Sequence, residues 1–245
     1  MPIEITFLGS GDAFSSGGKM HTCILVKSIK RNFLIDCGAS AMIGIKRFEV
    51  DPNDIDLILI SHLHGDHFGG IPFFILDAQL VSKRTTPLTI AGPIGTKDRI
   101  LEAMEVLFRG SSKTKRKFNI KIVELSVESP NVFTDVSVTP YPVIHPSGDP
   151  SLALRVDHLG KTIAYTGDTE WTDELIPACQ NAHLLISECY TYNKKIKFHL
   201  DYETLTSHLS ELNPKRLILT HMGEEILNRS DLAYEYAEDG LMIKI

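Results

Sequence analysis

LILISHLHGDHFGG, residues 57–70, joins a short apolar run to a cluster of polar side chains. It begins with a short apolar run, and such a run bounded by polar residues predicts a buried strand. It continues with four side chains of metal-binding type within six positions, His62, His64, Asp66 and His67. Imidazole and carboxylate groups are common metal ligands. The stretch therefore predicts a metal site held at the end of a buried strand.

The spacing inside this stretch has a geometric reason. In an extended segment, side chains at positions i and i+2 point the same way, so His62 and His64 can reach one metal together. We expect Gly65 to let the backbone turn sharply without a Cβ clash. Asp66 and His67 then project toward a second position. An apolar helical run follows Pro72, and proline is well tolerated at a helix start, so the predicted order is strand, metal loop, helix.

Three further candidate ligands end three further apolar runs. His145 follows the run 138–144, Asp168 comes shortly after Tyr165, and His221 follows the run 217–219. A lone histidine is usually an ordinary core or surface residue. Seven candidates in this arrangement, five imidazoles and two carboxylates, instead indicate a cleft that can hold two divalent metals.

This motif and its downstream partners resemble the metallo-β-lactamase-fold superfamily of metal-dependent hydrolases. The segments FLGSGD (7–12) and FLIDCG (33–38) are similar to the first hairpins of the branch that contains ribonuclease Z and related phosphodiesterases. The segment YTGDT (165–169) is similar to the "GDT" segment of that branch. The resemblance covers nearly the whole chain.

The resemblance implies an α+β fold, the four-layer αββα sandwich, in which two mixed sheets pack together with helices outside. We expect a single hydrolase domain over residues 1–245. The interleaving of strand-like and helical patterns agrees with this architecture. The helical patterns lie near 69–81, 95–109, 172–180, 202–212 and 231–237. Asp98 and Asp201 are candidate helix caps.

Within the family, the resemblance implies how the seven ligands are shared. The first metal would take His62, His64 and His145, the second would take Asp66, His67 and His221, and Asp168 would bridge them. Two divalent ions are expected, with Zn as the first choice and Mn or Fe as alternatives.

The resemblance also implies roles around the metals. Asp66 would double as the proton acceptor for the attacking water. Asp36 would orient a ligand histidine, the alternative being a plain turn carboxylate. Relatives with a redox di-iron centre typically have Glu at the position of His64, so His64 favours hydrolysis.

A second pair of residues matches the place where ribonuclease Z-like enzymes keep a Glu–His pair near the leaving group. Glu188 ends an apolar run, and His199 follows a lysine-rich segment. An imidazolium oriented by Glu188 can donate a proton to a departing alkoxide. The alternative is a structural pair that closes the cleft. Four other histidines lack such placement and are interpreted as ordinary, His21, His158, His183 and His208.

Composition limits the class of protein. Of the 245 residues, 43% are hydrophobic, enough for a core. No run approaches the ~20 apolar residues of a membrane helix, and the N-terminus passes directly into a strand-like run without a signal-peptide pattern. The cysteines are scattered without a CxxC pair, which favours reduced thiols and a cytoplasmic location; they are Cys23, Cys37, Cys179 and Cys189.

The charge pattern argues against a generally basic nucleic-acid surface, because the net charge is −6. The strongest basic run, KTKRK at 113–117, is either a solvated loop or a contact to a phosphate backbone through Lys113, Lys115, Arg116 and Lys117. Ribonuclease Z carries a long Gly/Pro-rich arm that grips tRNA. Residues 88–125 offer only an ordinary strand–helix–strand stretch, so full pre-tRNA processing is not expected.

The leading interpretation is a di-metal phosphodiesterase that uses a metal-bridging hydroxide. Its substrate would be a small cyclic or nucleotide diester, or an RNA end. The first alternative is hydrolysis of a lactone, thioester or β-lactam at the same site. The second is a metal-binding protein without catalysis. No membrane partner is expected, and the sequence allows a homodimer.

Overall fold

The computed structural model describes residues 2–147 and 150–245. Its strands are β1 (Glu4–Gly9), β2 (Cys23–Lys27), β3 (Asn32–Ile35), β4 (Ile55–Leu59), β5 (Leu88–Gly92), β6 (Ile120–Glu124), β7 (Asn131–Phe133), β8 (Val136–Val143), β9 (Ser151–His158), β10 (Lys161–Tyr165), β11 (Leu184–Glu188), β12 (Leu217–Thr220), β13 (Glu235–Tyr236) and β14 (Met242–Lys244).

The helices are α1 (Ala41–Arg47), α2 (Gly65–Phe68), α3 (Ile71–Leu80), α4 (Thr96–Leu107), α5 (Leu175–Cys179), α6 (Tyr202–Ser207), α7 (Leu209–Leu212) and α8 (Glu224–Leu227). Short 3-10 turns lie at Ser16–Gly18, Pro52–Asp54 and Ser111–Lys113. Among the described residues, we find no helix with both the length and the apolar character that a membrane crossing requires.

The strands form two mixed sheets of seven strands each. The first has the order β14-β1-β2-β3-β4-β5-β6, and the second has the order β13-β12-β11-β10-β9-β8-β7. Strands β3 to β6 run parallel, as do β10 to β13, and the other pairs are antiparallel. Parallel strands end at one edge of their sheet, so the segments that follow β4, β10 and β12 can meet there.

Alternate residues along each strand divide between two apolar layers, because successive side chains point to opposite faces. Every second side chain along a strand faces the other sheet, and Phe33, Leu57 and Ile163 are among these buried residues. The side chains between them pack under helices, and Ile58, for example, belongs to the cluster that includes α3 and α4. Burying one such side chain contributes roughly 1.5–3 kcal/mol. The continuous apolar run before His62 is therefore a strand buried on both faces, and the predicted αββα sandwich is confirmed.

Three details differ from the sequence-based predictions. The helix predicted over 202–212 is broken at His208 into α6 and α7. The helix predicted over 231–237 is wrong, because Glu235 and Tyr236 pair with β12 as a short parallel edge strand. Asp201 caps α6 by accepting from Thr204 N at 2.9 Å. Asp98 caps nothing, because α4 begins two residues earlier, after a glycine in left-handed backbone.

The metal loop packs closely against Gly38. The sequence-based prediction that Gly65 is needed to avoid a Cβ clash is wrong. A Cβ added at Gly38 would lie 2.1 Å from the backbone oxygen of Asp66. Its neighbour Cys37 donates its N–H to His67 O at 2.7 Å. Gly65 begins helix α2, and a Cβ added there would meet no described heavy atom within 4 Å. Close approach of two backbone segments, rather than a sharp turn, is what requires glycine here.

We predict that Gly38→Ala destabilises the fold by about 3 kcal/mol or more, because the new methyl group collides with main chain that cannot rotate away. Gly65→Ala is the matched control, and we expect a change of no more than about 1 kcal/mol, since alanine favours helix. Urea unfolding followed by circular dichroism measures both. Equal losses in the two variants would contradict this account of the loop.

Candidate metal centre

The seven predicted ligands lie together where the strands of both sheets end. Each follows its strand as predicted: His62 to His67 after β4, His145 after β8, Asp168 after β10 and His221 after β12. One potential ligand atom from each residue forms two groups, and within each group these atoms lie within 4.8 Å of one another. The groups are His62, His64 and His145, and Asp66, His67, Asp168 and His221. Six of the seven residues are buried, and His64 is half-buried.

Asp168 lies between the two groups. Its Oδ2 is 3.8 Å from His62 Nε2 and 3.9 Å from His145 Nε2. The same oxygen is 3.2 Å from His221 Nε2, and Oδ1 is 3.4 Å from His67 Nε2. A single buried carboxylate thus approaches imidazoles of both groups. Asp168 is therefore the residue that would lie between two ions if each group held one.

The unpaired atoms in this cluster test whether metals fit. His62 Nε2, His67 Nε2 and Asp168 Oδ1 are buried and have no hydrogen-bond partner among the described residues. Buried polar atoms in proteins are normally paired, and these three point into the same cluster. Imidazole nitrogen and carboxylate oxygen form the donor set that zinc and similar divalent metals bind. The residues therefore fit divalent metal ions.

Asp36 and Ser61 hold two of the imidazoles in position. Asp36 Oδ2 is 2.7 Å from His67 Nδ1. Ser61 Oγ donates to Asp36 at 2.8 Å and lies 3.0 Å from His62 Nδ1. Because a hydroxyl has one proton, Ser61 must accept from His62 Nδ1–H, which leaves His62 Nε2 free to bind a metal. Asp36 itself has a left-handed backbone, with φ 57°.

The other ligands are held by contacts from different parts of the chain. His145 Nδ1 donates to Phe198 O at 3.0 Å, so its Nε2 faces the centre. His64 presents Nδ1, which is 3.0 Å from His145 Nε2. His221 also has left-handed backbone, and its Nε2 is 3.2 Å from Asp66 Oδ2. Each imidazole thus turns one nitrogen toward the cluster.

The electrostatics of the cluster favour neutral imidazoles on one side and positive charge on the other. Burial lowers the pKa of His145 to about 4 and holds the pKa of His62 well below its ordinary value. Burial acts in the same direction on His221, but the carboxylates of Asp168, Asp66 and Glu188 together outweigh it and raise the pKa of His221 to about 9. The carboxylates of Asp66 and Asp168 therefore favour positive charge in this cluster.

The predicted Glu–His pair is formed beside both groups. Glu188 Oε2 is 3.0 Å from His199 Nδ1, and Glu188 Oε1 accepts from Thr169 N. The His199 ring lies 5.8 Å from the ring of His221 with an interplanar angle of 12°, and 5.2 Å from the ring of His145. Glu188 is fully buried, whereas the His199 side chain is 20% exposed.

This pair is poised to hold one proton. Burial raises the pKa of Glu188 to about 7, although its hydrogen bond with His199 opposes the shift. Burial lowers the pKa of His199, but the hydrogen bond and charge of Glu188 outweigh burial and raise it overall. The exposed edge of His199 can therefore present a proton to a bound molecule.

The histidines interpreted as ordinary lie outside the two groups. His158 is buried and bonds Ser28 Oγ and Asp135 O, at 2.8 and 2.9 Å, so it supports the fold. His208 stacks on Trp171, with ring centroids 3.6 Å apart. His183 accepts from Thr162 N at the start of β11, the end of that strand away from Glu188. His21 is 3.3 Å from Ser15 Oγ through Nε2.

Sequence reasoning missed three residues of the site. Ser61 stands between the strand and the first ligand, a position that could have singled it out. Tyr190 lies two residues beyond Glu188, and its ring is 4.8 Å from that of His199. Phe198 acts through its backbone oxygen, so its residue type carries no signal.

Known proteins share this fold. Ribonuclease Z of Enterococcus faecalis is 25% identical over 295 aligned residues, covering 97% of this chain and 91% of the relative. The metallo-β-lactamase-fold protein YhfI of Bacillus subtilis matches with a TM-score of 0.80 at 22% identity, covering 100% of both chains. The short form of human tRNase Z matches with a TM-score of 0.80 at 24% identity, covering 98% of both chains.

These similarities confirm the predicted metallo-β-lactamase fold, the ribonuclease Z-like branch and the prediction of a metal-dependent hydrolase. A family model described as "Anti-Pycsar protein Apyc1" matches residues 3–241, nearly the whole chain. The chain therefore belongs to the Anti-Pycsar protein Apyc1 family.

Proposed function

We propose that this chain is a phosphodiesterase that binds two divalent ions, with Zn as the first choice and Mn or Fe as alternatives. Its substrate is a small cyclic or linear nucleotide diester, or an RNA end. The observation that carries the proposal is the Glu188–His199 pair beside both ligand groups. An alkoxide is a poor leaving group, and a positioned proton donor helps it depart. The similarity to ribonuclease Z, a nuclease by name, supports the same chemistry.

The residues divide the work between the two sides of the scissile bond. When bound, two divalent ions would polarise the phosphate and lower the pKa of water. His62, His64 and His145 would hold one ion, Asp66, His67 and His221 the other, with Asp168 between them. Burial raises the pKa of Asp66, but the charges and hydrogen bonds of His67 and His221 together outweigh burial and hold this pKa below the ordinary range. Asp66 is thus suited to orient the attacking water by accepting its hydrogen bond.

His199 acts on the leaving side. Its Nδ1 faces Glu188, which leaves the Nε2–H for the leaving oxygen. As the water oxygen bonds to phosphorus and the P–O ester bond breaks, the Nε2 proton passes to the departing oxygen and yields an alcohol. The proton lost by water goes to Asp66 or solvent. A cyclic diester would open to a monoester by the same steps.

Two observations favour a small substrate over a whole tRNA. The match to ribonuclease Z extends over 295 aligned positions, so that enzyme carries residues that this 245-residue chain lacks. The basic run 113–117 precedes β6, at the end of the first sheet opposite the metal centre. Arg116 in that run bonds backbone oxygens of its own loop.

The first prediction concerns metal content. After reconstitution with Zn²⁺ we expect about two ions per chain, since seven ligands form two groups. The Asp168→Ala variant should bind at least one ion fewer, because the substitution removes the carboxylate that would lie between the two ions. Elemental analysis of the dialysed proteins measures this. A wild-type protein that retains no transition metal would contradict the proposal.

A second prediction separates ligands from bystanders. His64→Ala and His221→Ala should lower the hydrolysis of bis(p-nitrophenyl) phosphate by at least about 100-fold, because each removes a ligand that holds an ion in place. His183→Ala is the control, and its rate should stay within about twofold, since substitutions away from such features have small effects. Comparable losses in all three folded variants would mean that the ligands are assigned wrongly.

A third prediction tests the proton donor. General acid catalysis is worth about 10²–10⁴-fold, and p-nitrophenolate needs it less than a ribose alkoxide does. His199→Ala should therefore lose much more activity on a nucleotide diester than on the nitrophenyl ester, with metal content unchanged. Glu188→Gln should show the same bias more weakly.

The same assay decides against the rival reactions. A uniform loss on both esters would show that His199 is structural or positions the substrate. Lactone, thioester and β-lactam reporters should be turned over poorly. Strong turnover of one of these, without phosphodiester hydrolysis, would replace the proposal.

A further inference from the structure

A cavity of about 470 Å³ opens beside His199. Its lining includes Trp171, Lys195, Lys197, Leu200 and Thr204 together with His199, which is where it meets the metal centre. We propose that this cavity binds the nucleoside that carries the leaving oxygen, with the base packed against Trp171. The inference rests on the proposed phosphodiesterase, because it places the leaving side of the ester at His199.

Trp171 supplies a fixed aromatic surface. Its indole stacks on the His208 ring with a centroid distance of 3.6 Å and an interplanar angle of 10°. His208 covers one face and holds the ring, while Trp171 still lines the cavity. Aromatic side chains in such places stack on bases of any sequence, because every base has a π-face. Trp171 also lies only three residues after Asp168, so a short segment of chain connects this aromatic surface to the candidate metal centre.

The loop that contributes Lys197 and His199 to the cavity is anchored by the backbone of Phe198. Its backbone oxygen accepts from His145 Nδ1 at 3.0 Å, and its N–H donates to Glu170 Oε2 at 3.1 Å. Both anchors constrain the loop that carries Lys197 and His199. The position of the proton donor relative to the cavity is therefore fixed, as a substrate held at both ends requires.

Four charged side chains line the cavity, the ammonium groups of Lys195 and Lys197 and the carboxylates of Glu170 and Asp201. Lys195 Nζ is paired with Asp201 Oδ2 at 2.7 Å. Lys197 Nζ lies 4.6 Å from the centroid of the Phe198 ring, and no carboxylate of the described residues lies within 4.0 Å of it. In a chain with net charge −6, this exposed ammonium is a local attraction for phosphate or for a base carbonyl.

The single tryptophan of the chain makes the test direct, because all its indole fluorescence comes from Trp171. The Zn²⁺-reconstituted protein is titrated with AMP, UMP and ribose 5-phosphate, which share a phosphate but differ in the base. We expect both nucleotides to change the emission saturably and to bind more tightly than the sugar phosphate. Indistinguishable responses to all three would overturn the inference.

Variants measured by calorimetry give the second readout. Trp171→Ala should weaken nucleotide binding by roughly 5- to 150-fold, the range of base–aromatic stacking, and leave ribose 5-phosphate unchanged. The nucleotide affinity of Trp171→Phe should lie between those of the wild-type protein and Trp171→Ala. Lys197→Met should weaken nucleotide binding in a salt-dependent manner, whereas Lys30→Met, on the β2–β3 turn, should not. Unchanged nucleotide affinity in Trp171→Ala would also overturn the inference.

Failure of this site and failure of the phosphodiesterase can be told apart. Base-dependent binding without hydrolysis of any diester would remove the proposed function and keep the nucleoside site. Diester hydrolysis with equal binding of nucleotide and sugar phosphate would keep the function and remove the site.

Discussion

Asp168 is a buried acidic group whose charge must be compensated by its surroundings. Its carboxylate is buried between the ends of two sheets, and imidazoles from both sheets approach its two oxygens. Burying a lone carboxylate costs several kcal/mol unless positive charge compensates it. Here the compensating groups come from segments far apart in the chain, so a metal ion bound in this cluster would also link the two sheets.

Residues that follow strands of the first sheet orient the imidazoles of the cluster. Asp36 adopts a left-handed backbone that costs a non-glycine residue free energy. In that conformation it accepts from Ser61 and contacts His67, and Ser61 in turn fixes the tautomer of His62. His221, on the second sheet, has the same unusual backbone. Local strain on both sides of the cluster therefore serves to aim imidazole nitrogens at one point.

The candidate ligands could be predicted from sequence because they end short apolar runs, and that pattern is rare by chance. The strands that carry these residues could be predicted from the same apolar runs. What stayed hidden depends on contacts between distant segments. The need for glycine at Gly38 arises from the backbone of Asp66, and the edge strand at Glu235 exists only because β12 is there to pair with it. The contribution of Phe198 comes from its backbone, which no residue type reveals.

The candidate ligands lie at strand ends, whereas loops form the cavity beside them. The candidate ligands follow β4, β8, β10 and β12. The positions of these strands are determined by the apolar cluster between the sheets and by the cluster that packs the second sheet against its helices. The cavity is lined by residues 170–171 and by residues of the 195–204 segment, none of which is a candidate ligand of the two groups. Phe198 in this segment is linked to a candidate ligand, since its backbone oxygen orients His145. Substitutions in this loop should therefore alter substrate choice freely at Lys197, but disturb the metal centre when they move the backbone at Phe198.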